Sequence, residues 1–227
     1  MKSSTVSVII PVYNGEQLLA EAIESVLQQT MPPHQVIVVD DGSTDQCATV
    51  ARRYLPHIQL EQQANAGCGN ARNLGVALAT GEYLAFLDHD DYWAANKLAL
   101  QLEALEQSPA LEAVFGQLKQ ICTEEATQPN GMGFDVDITG SYHLNTMLIR
   151  HEAFERIGSY EPNFQRTKAE ERLCRARAMK LSAQQLPDIV AWRRIHGDNM
   201  SIRERPQIQA EYLRIIRKVR KEQQGDI

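Results

Sequence analysis

The chain has 227 residues, 43% hydrophobic and 23% charged, with a formal net charge of −6 at pH 7. That length supports a sizeable buried core, and those fractions belong to an ordinary globular protein rather than a disordered or fibrous one. The acidic balance argues against a nucleic-acid binder, and no apolar run approaches the roughly 20 residues that cross a bilayer. Cys47, Cys68, Cys122 and Cys174 are scattered with no Cys-x-x-Cys pair, so reduced thiols are expected rather than a zinc site or disulfide scaffold. Met1 and the residues to Val6 lack the basic and apolar regions of a signal peptide, and a cytoplasmic protein is expected.

In chain order, Val-Ser-Val-Ile-Ile-Pro-Val at 6–12 predicts a strand buried on both faces, ending at Pro11. After the turn Tyr13-Asn14-Gly15, Leu18, Leu19, Ala22, Ile23, Val26 and Leu27 recur at helical spacing. Pro32-Pro33 ends that helix, and 36–39 is a second strand running into Asp40-Asp41-Gly42-Ser43-Thr44-Asp45. Ser43, Thr44 or Asp45 can cap a helix reaching about Tyr54. Residues 58–62 predict a short third strand, 65–69 a glycine-bearing loop, and 70–79 a helix. The fourth strand, 83–87, is followed by a helix over 94–106. Strands alternating with helices imply a doubly wound, Rossmann-like parallel sheet. The right-handed crossover rule then brings the loops after strands one, two and four to one edge.

The second half is less regular. Strands are expected over 111–121, 142–149 and 186–195, helices over 151–157 and 167–181, and a loop or weak hairpin over 123–141. Pro206 begins a final helix reaching Lys221, on which Ile208, Tyr212, Leu213, Ile216 and Val219 form one stripe among basic residues. That stripe fits packing on the domain or contact with an anionic membrane surface. No linker separates independent domains, so one domain over 1–227 is expected: 5–105, 106–205 and a terminal helix over 206–227.

The most informative stretch is Tyr-Leu-Ala-Phe-Leu-Asp-His-Asp-Asp at 83–91. Three carboxylates in four positions repel one another, and a divalent cation with hard oxygen ligands relieves that repulsion. The competing reading is a helix N-cap, for which one Asp suffices.

With these residues in view, the chain resembles the family 2 glycosyltransferases of the GT-A fold. The resemblance rests on Val-Ser-Val-Ile-Ile-Pro-Val-Tyr-Asn at 6–14, Val-Asp-Asp-Gly-Ser-Thr-Asp at 39–45, Asn-Ala-Gly-Cys-Gly-Asn-Ala-Arg-Asn-Leu-Gly at 65–75 and the Asp-x-Asp motif at 88–90. It is dense over 5–105 and extends weakly through 149–158 and Arg194-Ile195-His196-Gly197. It implies a GT-A sheet with a smaller acceptor-side subregion. It also implies an inverting, metal-assisted transfer of a sugar from a nucleoside diphosphate sugar, UDP-linked, to a hydroxyl on a glycan, lipid-linked or other acceptor.

The resemblance assigns nucleotide binding to Pro11, Tyr13, Asp41, Arg72 and Asp88, with Tyr13 stacking on the base and Asp41 accepting from a base N–H. It assigns Mn²⁺ or Mg²⁺ to Asp88, Asp90 and His196; His89 fills the variable position and is not needed. His143 is a candidate to face the acceptor. The family's general base is an Asp that follows a Glu. Here Glu170-Glu171 stands instead, so Glu171 is the candidate base and Glu170 the fallback. Its extra methylene lengthens the reach, and about 1 Å of misplacement costs roughly 10²-fold in rate.

Two rivals are carried forward. A sugar-phosphate nucleotidyltransferase usually has a basic glycine-rich loop after the first strand, where this chain has Pro11-Val12-Tyr13-Asn14. The Glu-for-Asp change favours a degenerate, transferase-like module that binds nucleotide or glycan without turnover. A nicotinamide dehydrogenase fails for lack of G-x-G-x-x-G after the first strand.

Overall fold

A computed structural model describes residues 4–122, 142–161, 164, 168–196, 211 and 214–215. The loop expected over 123–141 and most of the expected terminal helix, with its candidate membrane stripe, lie outside those residues. Of the residues expected in that helix, Glu211 and Ile215 are helical and buried.

The described strands form one curled, mainly parallel sheet of eight, ordered β3-β2-β1-β4-β7-β6-β8-β5. The strands are β1 Val6–Val12, β2 Gln35–Asp40, β3 Gln59–Gln62, β4 Tyr83–Phe86, β5 Tyr92–Trp93, β6 Ala113–Cys122, β7 Leu148–Arg150 and β8 Ala183–Ile195. The helices are α1 Leu19–Leu27, α2 Cys47–Arg52, α3 Cys68–Leu78, α4 Lys97–Gln107, α5 His151–Ile157 and α6 Lys168–Ala178.

Every residue of β1 is buried because both faces of the sheet are covered. Val6, Val8, Ile10 and Val12 join the core beneath α1, α2 and α4, while Ile9 joins the cluster built on α5. That explains the unbroken apolar run. α1 contributes Leu19, Ala22, Ile23 and Val26 at i, i+3, i+4 and i+7. Truncating Ile23 to Ala would cost about 2–5 kcal/mol.

β1 pairs in parallel with β2 and β4, and β2 with β3, so the ends of β1, β2 and β4 share one edge. The β1–β4 pairing stops at Ile9 opposite Phe86, and Leu87 N–H donates to the Ile9 carbonyl. Pro11, two residues on, faces the same side with no N–H to offer. β1 and β4 therefore part at Pro11. This is where the strand order reverses, the place at which open α/β sheets bind ligands.

Three local expectations change. Residues 142–149 do not form one strand: Leu144–Thr146 is a 3₁₀ turn and β7 has three residues. The strand β5, paired antiparallel with β8, was not expected from sequence. Finally, α4 begins at Lys97 behind Asn96, so the Asp88–Asp91 cluster does not cap it.

Candidate active site

The loops after β1 and β2 are zipped together. Asn14 N–H donates to Ser43 Oγ (3.0 Å), Glu16 N–H to Asp45 Oδ2 (2.9 Å) and Thr44 N–H to Asn14 Oδ1 (2.8 Å). The loop after β4 closes on them at one point. A Cβ on Gly15 would lie 2.0 Å from His89 Cδ2, so only glycine lets the imidazole pack there. His89 is thus a packing residue between the two metal candidates.

Asp41 is 2% exposed and organises the loop before α3. Its Oδ1 accepts from Gln63 Nε2 (2.6 Å) and Ala66 N (2.9 Å), and its Oδ2 from Gly67 N (2.7 Å). A carboxylate has about four acceptor positions, so roughly one remains for a ligand. Gly67 (φ 87°, ψ 154°) sits in a region essentially closed to other residues. From it α3 starts, and one turn on comes Arg72. Arg72 is 6% exposed and its Nη2 lies 2.5 Å from Asp88 Oδ1. Tyr160 stands 5.6 Å beneath it and Cys68 Sγ accepts from its Nη1 (3.5 Å). Tyr13, at the end of β1, is 46% exposed. Asp41, Arg72, Asp88 and Tyr13 therefore lie on one edge of the sheet.

One oxygen from each of Asp88, Asp90 and Asp91 lies within 4.8 Å of the others. The three differ in what already holds them. Asp91 is 2% exposed; its Oδ2 accepts from Asn145 Nδ2 (2.5 Å) and its Oδ1 from Arg194 N (2.9 Å). Burial and the charges of Asp90 and Asp88 push its carboxyl well above the usual range. Asp90 goes the other way: burial opposes ionisation, but the His196 hydrogen bond and the His89 and His196 charges hold it low. His196 Nε2 lies 3.2 Å from Asp90 Oδ2. Arg194 Nη1 donates to the Asp90 carbonyl (3.0 Å) and its other nitrogen pairs with Glu21.

The donor set fits a divalent cation. Asp88 and Asp90 offer hard oxygens on a shared loop, the buried Asp91 carboxyl beside them resists ionising next to their charges, and among the described residues no thiolate joins them. Asp91 itself is committed to protein donors and serves as the loop's anchor.

Glu171 is in the first turn of α6, 2% exposed, with Oε2 accepting from Arg175 Nε (3.0 Å) and Nη2 (2.9 Å). Arg175 also donates to the carbonyls of Ile157 (2.7 Å) and Ser159 (2.8 Å). Glu170 precedes it in the same turn. His143 accepts from Asn145 N at Nδ1 (3.3 Å). Burial, eased by the Asp88 charge, lowers its pKa to about 4, so the imidazole is neutral near the carboxylates.

Several site residues carried no sequence signal. Asn145 and Lys97 are fully buried. Lys97 Nζ donates to Gln101 Oε1 (2.7 Å) and the Met147 carbonyl (3.2 Å), and lies 4.1 Å over the Trp93 ring. Gln101 Nε2 in turn holds the Val114 and Thr146 carbonyls. A lysine in an amphipathic helix ordinarily reads as solvated.

The family profile described as Glycosyl transferase family 2 matches residues 7–168. An uncharacterised glycosyltransferase of Nostoc sp. is 33% identical over 215 residues, covering 86% of this chain and 66% of that protein. One of Rickettsia typhi is 44% identical over 105 residues, 46% of this chain and 33% of the relative, so this chain spans only part of the relatives it matches. S. aureus TarS in complex with UDP-GlcNAc superimposes with a TM-score of 0.69 at 23% identity, over 86% of this chain and 60% of that one. The Pyrobaculum calidifontis mannosyltransferase PcManGT, in complex with GDP-Man and Mn²⁺, gives 0.65 at 24%, over 86% and 58%. Membership sets aside the nucleotidyltransferase rival, and no helix among the described residues is long and apolar enough to cross a membrane. The chain belongs to glycosyltransferase family 2 and has the GT-A fold.

Proposed function

We propose that this chain transfers a sugar from a UDP-sugar to an acceptor hydroxyl with inversion, assisted by Mn²⁺ or Mg²⁺. The observation that carries the reading is the meeting of Arg72, Asp88 and Asp90 where β1 and β4 part, at the edge onto which β1 delivers Tyr13. The UDP assignment is supported by the UDP and UDP-GlcNAc held by TarS, and the metal by the Mn²⁺ in PcManGT.

In this reading the exposed face of Tyr13 stacks on the base, and the remaining acceptor position of Asp41 takes a base N–H. Pro11 shapes the crevice floor. Arg72 carries its charge to the diphosphate side while holding Asp88 in place. Asp88 and Asp90 hold the metal, His196 fixes the Asp90 carboxylate, and Asp88 also reaches the ribose. A bound divalent cation supplies charge neutralisation for the departing diphosphate. Glu171 accepts the acceptor's proton, exchanging its Arg175 partner for the hydroxyl, with Glu170 as the fallback. The acceptor is a glycan, lipid-linked or other hydroxyl, reached from the cytoplasmic side. Vesicle co-sedimentation tests whether the terminal helix adds membrane contact.

One observation favours a second reading. Glu171 is buried and bound by Arg175, as in a module that binds nucleotide without turnover. A turnover assay over UDP- and GDP-sugars with Mn²⁺, paired with UDP calorimetry, separates the two. Turnover that Glu171→Gln abolishes supports the transferase. UDP binding without turnover of any donor supports the module.

A further inference from the structure

The carboxylate loop is gripped from the second half of the chain by one fully buried side chain, Asn145. Its Oδ1 accepts from the Asp88 backbone N–H (3.3 Å), and its Nδ2 donates to Asp91 Oδ2 (2.5 Å). One carboxamide thus bonds both ends of the four-residue loop that presents Asp88 and Asp90.

Asn145 is itself held from several directions. Its carbonyl accepts from Trp93 Nε1 (2.8 Å) and its N–H donates to His143 Nδ1 (3.3 Å). The next two carbonyls are taken by Gln101 Nε2 (2.7 Å) and Lys97 Nζ (3.2 Å). A buried amide with both polar atoms used, on a turn whose successive carbonyls are also used, has little freedom. Its geometry is passed to the loop it bonds.

We infer that Asn145 is a positioning residue for the cation site: it sets the loop so that Asp88 and Asp90 can ligate one divalent ion. This rests on the metal-assisted reading above. Outer partners that orient metal ligands typically change metal affinity by about 10- to 100-fold when removed.

The test is Mn²⁺ titration of metal-stripped protein by electron paramagnetic resonance, with metal-free UDP affinity measured alongside. Wild type and Asp90→Ala are the controls. Asn145→Leu keeps the branched outline, at a somewhat larger volume, and removes both side-chain bonds. The expected result is a Mn²⁺ dissociation constant raised at least tenfold, with metal-free UDP affinity changed less than threefold. A merely structural role would move both affinities together or neither.

If Asn145→Leu does not fold, Trp93→Phe, which removes the bond to the Asn145 carbonyl and shrinks the ring beneath Lys97 Nζ, is expected to raise the Mn²⁺ constant about two- to fivefold. Unchanged Mn²⁺ affinity in whichever variant folds overturns the assignment. Wild type that binds no Mn²⁺, or binds it equally after Asp90→Ala, overturns the metal reading and this inference with it. Those two failures are told apart by the controls.

Discussion

Replacing Gly67 by Ala tests the loop that joins Asp41 to Arg72. At φ 87° and ψ 154° a side chain has two ways out. It can keep the conformation, at a cost of about 1–3 kcal/mol of backbone strain. Or the peptide can rotate, which withdraws Gly67 N–H from Asp41 Oδ2. Losing a hydrogen bond to a buried charged group costs about 1.5–3 kcal/mol. Neither route is cheap, and the smaller sets the result, about 2 kcal/mol. For a chain of this size that corresponds to a fall of roughly 4–8 °C in Tm. Urea unfolding of Gly67→Ala, Asp41→Ala and the double variant measures it. Because Asp41 is what rewards the glycine conformation, the two losses overlap, and the double variant is expected to lose less than their sum. A Gly67→Ala variant within about 0.5 kcal/mol of wild type, or strict additivity, would refute the reasoning.

Gly15→Ala places a methyl 2.0 Å from His89 Cδ2 and pushes the residue between Asp88 and Asp90; Mn²⁺ affinity is expected to fall, and adding His89→Ala to restore it, with no recovery counting against the close packing. His143 has its pKa lowered from 6.5 to about 4 by burial, so the unfolded chain binds its proton first. Its contribution to stability is complete above pH 6.5 and is lost as pH falls toward 4, by up to roughly 3 kcal/mol. His143→Asn, which keeps an acceptor for Asn145 N–H, is expected to flatten that part of the stability–pH curve; an unchanged slope in urea melts rejects the neutral-imidazole assignment.

The donor half was legible because its signals are local. Strands covered on both faces read as continuous apolar runs, and the turn residues of 13–15, 40–45 and 65–69 sit at the ends of those runs. The convergence of Tyr13, Asp41 and Asp88 follows from β1, β2 and β4 being parallel. Across 142–149, sequence and structure diverge because Asn145 and Thr146 are polar yet turned fully inward. Alternating polar and apolar residues mimic a half-exposed strand when the polar ones are satisfied by partners distant in sequence. Asn145 meets Asp88 and Asp91, 57 and 54 residues away. β5 is two residues long and exists only through its pairing with β8. Lys97 carries that lesson in charge: it reads as solvated, yet it is buried against Gln101 on its own helix and the Met147 carbonyl of a neighbouring segment.

The central claim is that cation and nucleotide meet where β1 and β4 part. A second concavity makes this a real choice: a groove of about 410 Å³ lined by Leu27, Pro33, His34 and His57 opens near the start of β1, at the far edge of the sheet. Anomalous diffraction from crystals grown with Mn²⁺ and UDP decides between them. The account predicts one manganese peak between the carboxylates of Asp88 and Asp90, with the base against Tyr13. A peak or a nucleotide seated at the far groove, with no metal at Asp88 and Asp90, would contradict it.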